Sequence, residues 1–341
     1  MKVWFVVLHP ARVHLYRHAI QALEDRGWDV RVFTRNADSI RDLLDEYEIG
    51  YTTLAETGDT KAGVVRSQVR FELAFARAAV SGRPDIVVDG LGSMIVGRML
   101  GATTVAFWDT EHNRFQKRVV APFVDRIYTP ESYRNDVSDS QIRYPGFHDL
   151  AYLHPNRFEP DPGILEEVGL GPGDRFAVVR TVAWNATHDI GGRGFEDLID
   201  VVDELEAMGV TVFLSAEADL PATLSSHELA IEPHRIHDLL AYADLFVGES
   251  GTMATESAIL GTPAIFVSTL EAGVLQELET TYGLLTTVSG TNRSARSIQE
   301  ARRILDRDPA IWQRRRARLL EDTIDVTSFV LEQFEDIATG D

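Results

Sequence analysis

Short apolar runs alternate along this chain with longer segments whose apolar positions recur at three- and four-residue intervals, the rhythm of βα units. In the first half VWFVVL (3–8), DVRVFT (29–34), DIVVD (85–89), TTVAFW (103–108) and DRIYTP (125–130) predict strands. Between the first two, VHLYRHAIQALEDRG (13–27) sets Leu15, Ile20 and Leu23 on one helical face, and Gly27 ends the helix. This is the opening of a doubly wound unit.

The texture changes at YPGFHDLAYLHPNRFEPDPG (144–163), where Pro145, Pro155, Pro160 and Pro162 rule out a continuous helix or central strand. Beyond it the rhythm restarts: FAVVR (176–180), the helix FEDLIDVVDELEAMG (195–209), VTVFLS (210–215), ELAIE (228–232), DLFVG (244–248) and PAIFV (263–267), then helices over 294–338. The pattern predicts an α/β chain of two doubly wound Rossmann-like domains facing a central cleft. The expected boundaries are 1–150, a Pro-rich hinge over 151–162, and 163–341. Ligands of such sheets bind at the carboxyl ends of the strands.

At 341 residues the chain suits two domains. The net charge of -20 changes the picture further, because only Lys2, Lys61 and Lys117 among 33 basic residues are lysine. An acidic, lysine-poor surface stays hydrated where the Debye length falls to about 3 Å at 1 M salt, so a salt-loving source is expected. The same field repels polyanions and argues against nucleic acid as a partner. The absence of cysteine removes disulfides, thiolate nucleophiles and Cys-based zinc sites. The amino terminus enters a strand with no cleavage-site pattern, and no stretch reaches ~18 uninterrupted apolar residues. A cytoplasmic protein is expected.

The most specific stretch is VGESGTMATESAILGTPAIFV (247–267), a strand, a turn, a short helix and a second strand. Ser250 is a good N-cap, Gly251 lets a ligand approach the backbone, and a helix amino terminus at a strand's carboxyl end suits phosphate. Thr252 and Glu256 stand four residues apart on one face, a spacing that fits a diphosphate at the helix start and a ribose diol one turn along. The plainer alternative is that Ser250 only caps and Glu256 is a solvated charge.

The pattern S-G-T-x-x-x-E-x-x-x-x-G-x-P-A-I resembles the donor-nucleotide signature of GT-B glycosyltransferases and of non-hydrolysing UDP-N-acetylglucosamine 2-epimerases. Across most of the chain, HPARVHLYRHAIQALEDRGWDVRVFTR, FWDTEHN, PGFHDLAYLHPNRFEPD and RTVAWNATHD together with this motif resemble a prokaryotic GT-B-like family known as a domain of unknown function. The resemblance implies that Glu256 holds the ribose hydroxyls of a UDP-sugar and that Ser250, Gly251 and Thr252 hold its diphosphate. The epimerases usually carry Ser-Gly-Gly and paired glutamates; Ser-Gly-Thr and the single Glu256 bear on the epimerase activity more than on the nucleotide site.

Other candidates sit after other strands. In RTVAWNATHDIGGRGF (180–195), Arg180 offers a charged fork, Asn185, Thr187 and His188 are donors, and Gly191, Gly192 and Gly194 permit close approach. The resemblance implies that this loop lies over the diphosphate; the alternative is a plain glycine loop. In FWDTEHNRFQKR (107–118), Glu111 or Asp109 suits a general base with His112 beside it, while an acidic helix cap remains the alternative. His9, Arg12 and His14 follow the first strand, with His14 the better candidate for catalysis, and Asp89 ends another strand. His148 and Tyr152 fall in the Pro-rich stretch. Arg314, Arg315, Arg316 and Arg318, and the smaller group Arg114, Lys117 and Arg118, read as a solvated face or as contacts to anionic lipid.

These observations predict a metal-independent glycosyltransferase that takes a nucleotide-diphosphate sugar, a UDP-sugar, as substrate and needs no cofactor. Glu111, His14 and Asp109 are its candidate catalytic groups. Arg180, His188, Ser250, Gly251, Thr252 and Glu256 are its candidate donor-binding groups. The acceptor is a sugar or a lipid carrier, with peripheral membrane contact, and the epimerase likeness implies a homodimer. Epimerisation at the sugar C2, or sugar-nucleotide binding without catalysis, are the alternatives.

Overall fold

The computed structural model describes residues 1–58, 60–111, 116–171, 173–182, 194–217 and 220–340. The chain forms two compact units, Met1–Arg157 with Thr323–Asp341, and Phe158–Asp322. The first runs β1 (Lys2–Val6), α1 (Pro10–Asp25), β2 (Asp29–Asn36), α2 (Asp38–Glu46), β3 (Tyr51–Glu56), α3 (Lys61–Gly82), β4 (Ile86–Val88), α4 (Leu91–Met99), β5 (Thr103–Phe107), β6 (Arg126–Pro130), β7 (Gln141–Tyr144) and α5 (Leu150–Leu153). The second runs α6 (Gly163–Glu167), β8 (Phe176–Thr181), α7 (Leu198–Ala207), β9 (Thr211–Ala216), α8 (Ile236–Tyr242), β10 (Leu245–Gly248), α9 (Gly251–Leu260), β11 (Ala264–Val267), α10 (Gly273–Glu277), β12 (Leu285–Val288), α11 (Arg293–Leu305) and α12 (Ala310–Asp322). Helix α13 (Val326–Thr339) returns to the first unit.

Both sheets are parallel. The first has the order β3-β2-β1-β4-β5-β6-β7 and the second β12-β11-β10-β8-β9. Each order reverses once, between β1 and β4 and between β8 and β10, and these reversals are where an open α/β sheet leaves room for a ligand. The central strands β4, β10 and β11 are buried at every residue, as a sheet covered on both faces requires. The edge strands are more polar: β3, β7 and β12 were not among the predicted strands, and the first two are largely open to solvent. ELAIE, expected as a strand, contributes only a single bridge from Glu228 to Leu214.

The units divide differently from the expected 1–150, 151–162 and 163–341. The buried helical turn Leu150–Leu153 of the first unit takes in the first three residues of the expected hinge. The last nineteen residues also belong there. Asp325 caps α13 by accepting from the Ser328 amide at 3.1 Å and takes Arg157 Nε at 3.0 Å. Burial disfavours its charge, but Arg157 and Ser328 outweigh that and hold its pKa below the ordinary carboxylate value. Thr327 donates to the Ala151 carbonyl at 2.6 Å, and Phe334 meets Phe5 edge-on beneath the sheet. An apolar face on α13 thus completes the cover of the first sheet.

Candidate functional site

In the second unit the β8/β10 reversal carries the predicted motif. Gly248 ends β10 so close to its neighbours that a Cβ there would lie 2.6 Å from the Phe246 ring and 2.8 Å from Arg180 Cβ. The chain then turns through Glu249 into α9, where the Ser250 hydroxyl accepts from the Met253 amide at 3.3 Å. The next two amides, of Gly251 and Thr252, meet no acceptor among the described residues. They are the unsatisfied donors of a helix start, at the end that carries its positive partial charge. Thr252 is exposed, and around Gly251 the nearest atom to an added Cβ is 3.7 Å away.

Glu249, which no pattern in the sequence singles out, is buried and ties two stretches of chain to this turn. Its Oε2 accepts from the Val182 amide at 2.9 Å and its Oε1 from the Phe195 amide at 2.7 Å. The Ser294 hydroxyl accepts from the Glu196 and Asp197 amides, and Arg293 Nε donates to the Gly194 carbonyl at 2.6 Å. Val182 and residues 194–197 are therefore fixed beside the start of α9. Asn185, Thr187, His188, Gly191 and Gly192 lie outside the described residues, as do His112 and Arg114.

Two expected donor-site residues are engaged differently from their prediction. The Arg180 fork turns to the edge strand, with NH1 on Ser215 Oγ and NH2 on Glu217 Oε1, both at 2.7 Å. Glu256 does not share solvent with Thr252: it is 4% exposed, and its Oε1 stands 2.9 Å from His237 Nε2 of α8, itself buried. The i, i+4 spacing predicted one face correctly as geometry, but α8 covers the inner end of that face.

In the first unit the β1/β4 reversal gathers polar groups that the sequence scattered. Asp89, just beyond β4, holds φ 57° in the left-handed region and accepts from Tyr16 Oη at 2.6 Å and from the Phe107 amide at 3.2 Å. Arg12 NH1 lies 3.4 Å from the same carboxylate. Burial disfavours the Arg12 cation, yet Asp89, with Tyr16 and Asp109, keeps its pKa above the ordinary value. Burial and the Asp89 charge likewise hold the Tyr16 phenol protonated.

Beyond β5, Asp109 pairs with His148 Nδ1 at 3.3 Å. Burial alone would raise the Asp109 pKa, but His148 and then Arg12 outweigh it and hold the carboxyl well below its usual range. Tyr144 stacks on His148 with ring centroids 6.2 Å apart, and burial with the Asp109 and Asp149 charges keeps its phenol protonated. His148 Nε2 and Tyr144 Oη are both buried with no hydrogen-bond partner among the described residues. Leaving such atoms unpaired costs about 1–3 kcal/mol each, so each calls for a ligand or a water.

The remaining candidates are not brought to that cluster. Glu111 Oε1 accepts from the Arg134 amide at 3.2 Å in the loop after β6, and burial with the Glu111 charge pushes the Tyr133 phenol up to about 12. His9, rather than His14, caps α1, accepting from the Ala11 amide. His14 is buried one turn in, stacked on Tyr152 at 5.2 Å and 3.3 Å from Tyr47 Oη. In α12, Arg315 and Arg316 donate to the Gly283 and Ile259 carbonyls and Arg318 to that of Thr281, so three members of the basic run bind backbone oxygens.

Two doubly wound parallel sheets with these reversals define the GT-B fold. Solved structures bear this out: a UDP-N-acetylglucosamine 2-epimerase from Neisseria meningitidis aligns with TM-score 0.68 at 11% identity over 98% of this chain and all of that one. A protein from Listeria monocytogenes described as a putative UDP-N-acetylglucosamine 2-epimerase aligns with 0.67 at 14% over 98% and 96%, and the glycosyltransferase SnogD from Streptomyces nogalater with 0.61 at 15% over 98% and 99%. At such identities the likeness is one of fold. The chain belongs to the family described as Protein of unknown function (DUF354), whose model matches residues 1–284. No curated protein matches it in sequence.

Proposed function

We propose that the protein is a glycosyltransferase that takes a nucleotide-diphosphate sugar, a UDP-sugar, without a metal ion. The observation that carries this reading is the start of α9 at the β8/β10 reversal, where the Gly251 and Thr252 amides and the Thr252 hydroxyl are open to an anion. With the Arg180 fork committed to Ser215 and Glu217, these amides are assigned the diphosphate charge that grows as the nucleotide leaves. Glu256 is retained as the ribose contact, its carboxylate oriented by His237.

For proton transfer the assigned group is the Asp109–His148 pair rather than Glu111 or His14. Asp109 holds Nδ1, which leaves Nε2 to accept the proton of an acceptor hydroxyl. Tyr144, kept protonated, is a donor beside it. His148→Gln is expected to lower kcat by about 100-fold with the UDP affinity unchanged. Unaltered turnover would remove the pair from the chemistry.

Epimerisation at C2 would use the same donor site, and the fold likeness to 2-epimerases makes it the reading to separate. Incubation with UDP-N-acetylglucosamine in heavy water does so, since only epimerisation writes deuterium at C2 without an acceptor. Turnover of a UDP-sugar that requires an acceptor and survives EDTA supports transfer. Dependence on a divalent ion contradicts it.

A further inference from the structure

We propose that the outer face of α3 docks the protein on an anionic bilayer surface. Among the described residues, five of the fourteen large apolar side chains that stand exposed are on this one helix: Val64, Val65, Val69, Leu73 and Val80, between 47% and 64% accessible. Val65, Val69, Leu73 and Val80 recur at intervals of four, four and seven, so they form a single stripe along the helix. Arg66, Arg70 and Arg77, all exposed, follow that stripe one position over.

Charge selects the occupant. Residues 61–83 hold five basic residues and one acid, within a chain of net charge -20. The one acid, Glu72, faces inward: it accepts from the Gly92 amide at 3.0 Å and the Ser93 hydroxyl at 2.8 Å, at the start of α4. The outer face of the helix is therefore apolar and purely cationic, against the sign of the whole molecule. A symmetric contact with a second copy would set Arg66, Arg70 and Arg77 against themselves with no acid from the helix between them. Arginines beside an aliphatic stripe instead match headgroup phosphates over acyl chains. No helix among the described residues is long and apolar enough to cross a membrane, so the contact is one of lying on the surface.

The test is flotation of the full chain with phosphatidylglycerol vesicles and with phosphatidylcholine vesicles. The chain is expected to float with the first and, at the same lipid concentration, barely with the second. Arg66→Gln, Arg70→Gln and Arg77→Gln together are expected to cut partitioning by about 100-fold, at roughly a tenfold loss or less per charge. Val69→Ser with Leu73→Ser is expected to cut it about tenfold. Equal flotation on both lipids, or none on either, overturns the proposal; so does full binding by both variants. If the serine variant instead changes the oligomeric mass in light scattering and the wild type ignores vesicles, a second copy occupies the face and the proposal fails. Nucleotide binding is measured on the same samples: its retention shows that the variants are folded, and its absence from the wild type bears on the donor site, not on α3.

Discussion

Glu249→Gln is the sharpest structural perturbation of the second unit. The carboxylate accepts two amide hydrogen bonds, at 2.9 Å from Val182 and 2.7 Å from Phe195, and is only 6% exposed. Hydrogen bonds to a charged acceptor contribute about 1.5–3 kcal/mol each, and glutamine keeps one accepting oxygen but turns an NH2 toward the other amide. One bond is lost and one buried amide is left unpaired, for a total of about 2–4 kcal/mol. Native-state hydrogen exchange reads this at the two amides themselves, where protection is expected to fall by about 30-fold or more in the variant. Because the same carboxylate fixes the turn into α9, UDP affinity is expected to fall with it. Unchanged protection at both amides would show that Glu249 does not hold Val182 and Phe195, and would refute the reasoning.

Other expectations follow from the same structure. His18 is pushed down to about 4 by burial and by the Arg17 and Arg157 cations, so it folds neutral. Stability it contributes is present above its unfolded pKa of about 6.5 and is lost as pH falls toward 4, because the unfolded chain binds the proton first. Discounted for partial exposure, the loss is about 1–2 kcal/mol, and His18→Gln should flatten that part of the stability–pH curve relative to the wild type. Gly248→Ala places a methyl against Phe246 and Arg180 and should cost about 1–3 kcal/mol in chemical denaturation. Asp325→Ala removes the cap of α13 and takes the carboxylate from Arg157, which keeps Ser328 Oγ; a loss of about 2–3 kcal/mol, read as an earlier unfolding transition of the first unit, is expected.

Local patterns in the chain carried much of this outcome. The buried central strands announce themselves as apolar runs, and Ser250 before a glycine and a helical stretch was legible as a cap because capping acts within three residues. Strands β3 and β7 were not legible, since YTTLAE and QIRY at sheet edges keep polar residues that a core strand would exclude. Contacts distant in sequence were equally hidden. Nothing near Glu256 predicts that His237 covers it, and nothing in DTEHN identifies His148, thirty-nine residues on, as the partner of Asp109. Tyr144 had no local signal at all. The return of α13 to the first unit rests on Arg157, Thr327 and Phe334, three contacts that only the folded chain brings together.

The central claim is that the start of α9 holds a nucleotide diphosphate, and calorimetric titration of UDP into the wild type and Thr252→Asp tests it most directly. An aspartate in the first helical turn favours the helix, so this exposed variant is expected to fold, while its carboxylate occupies the anion position. The account predicts UDP binding by the wild type and a loss of about 100-fold in the variant, as one fixed negative charge repels the diphosphate. No binding of any uridine, guanosine, cytidine or thymidine diphosphate by the wild type, or undiminished UDP binding by Thr252→Asp, would contradict it.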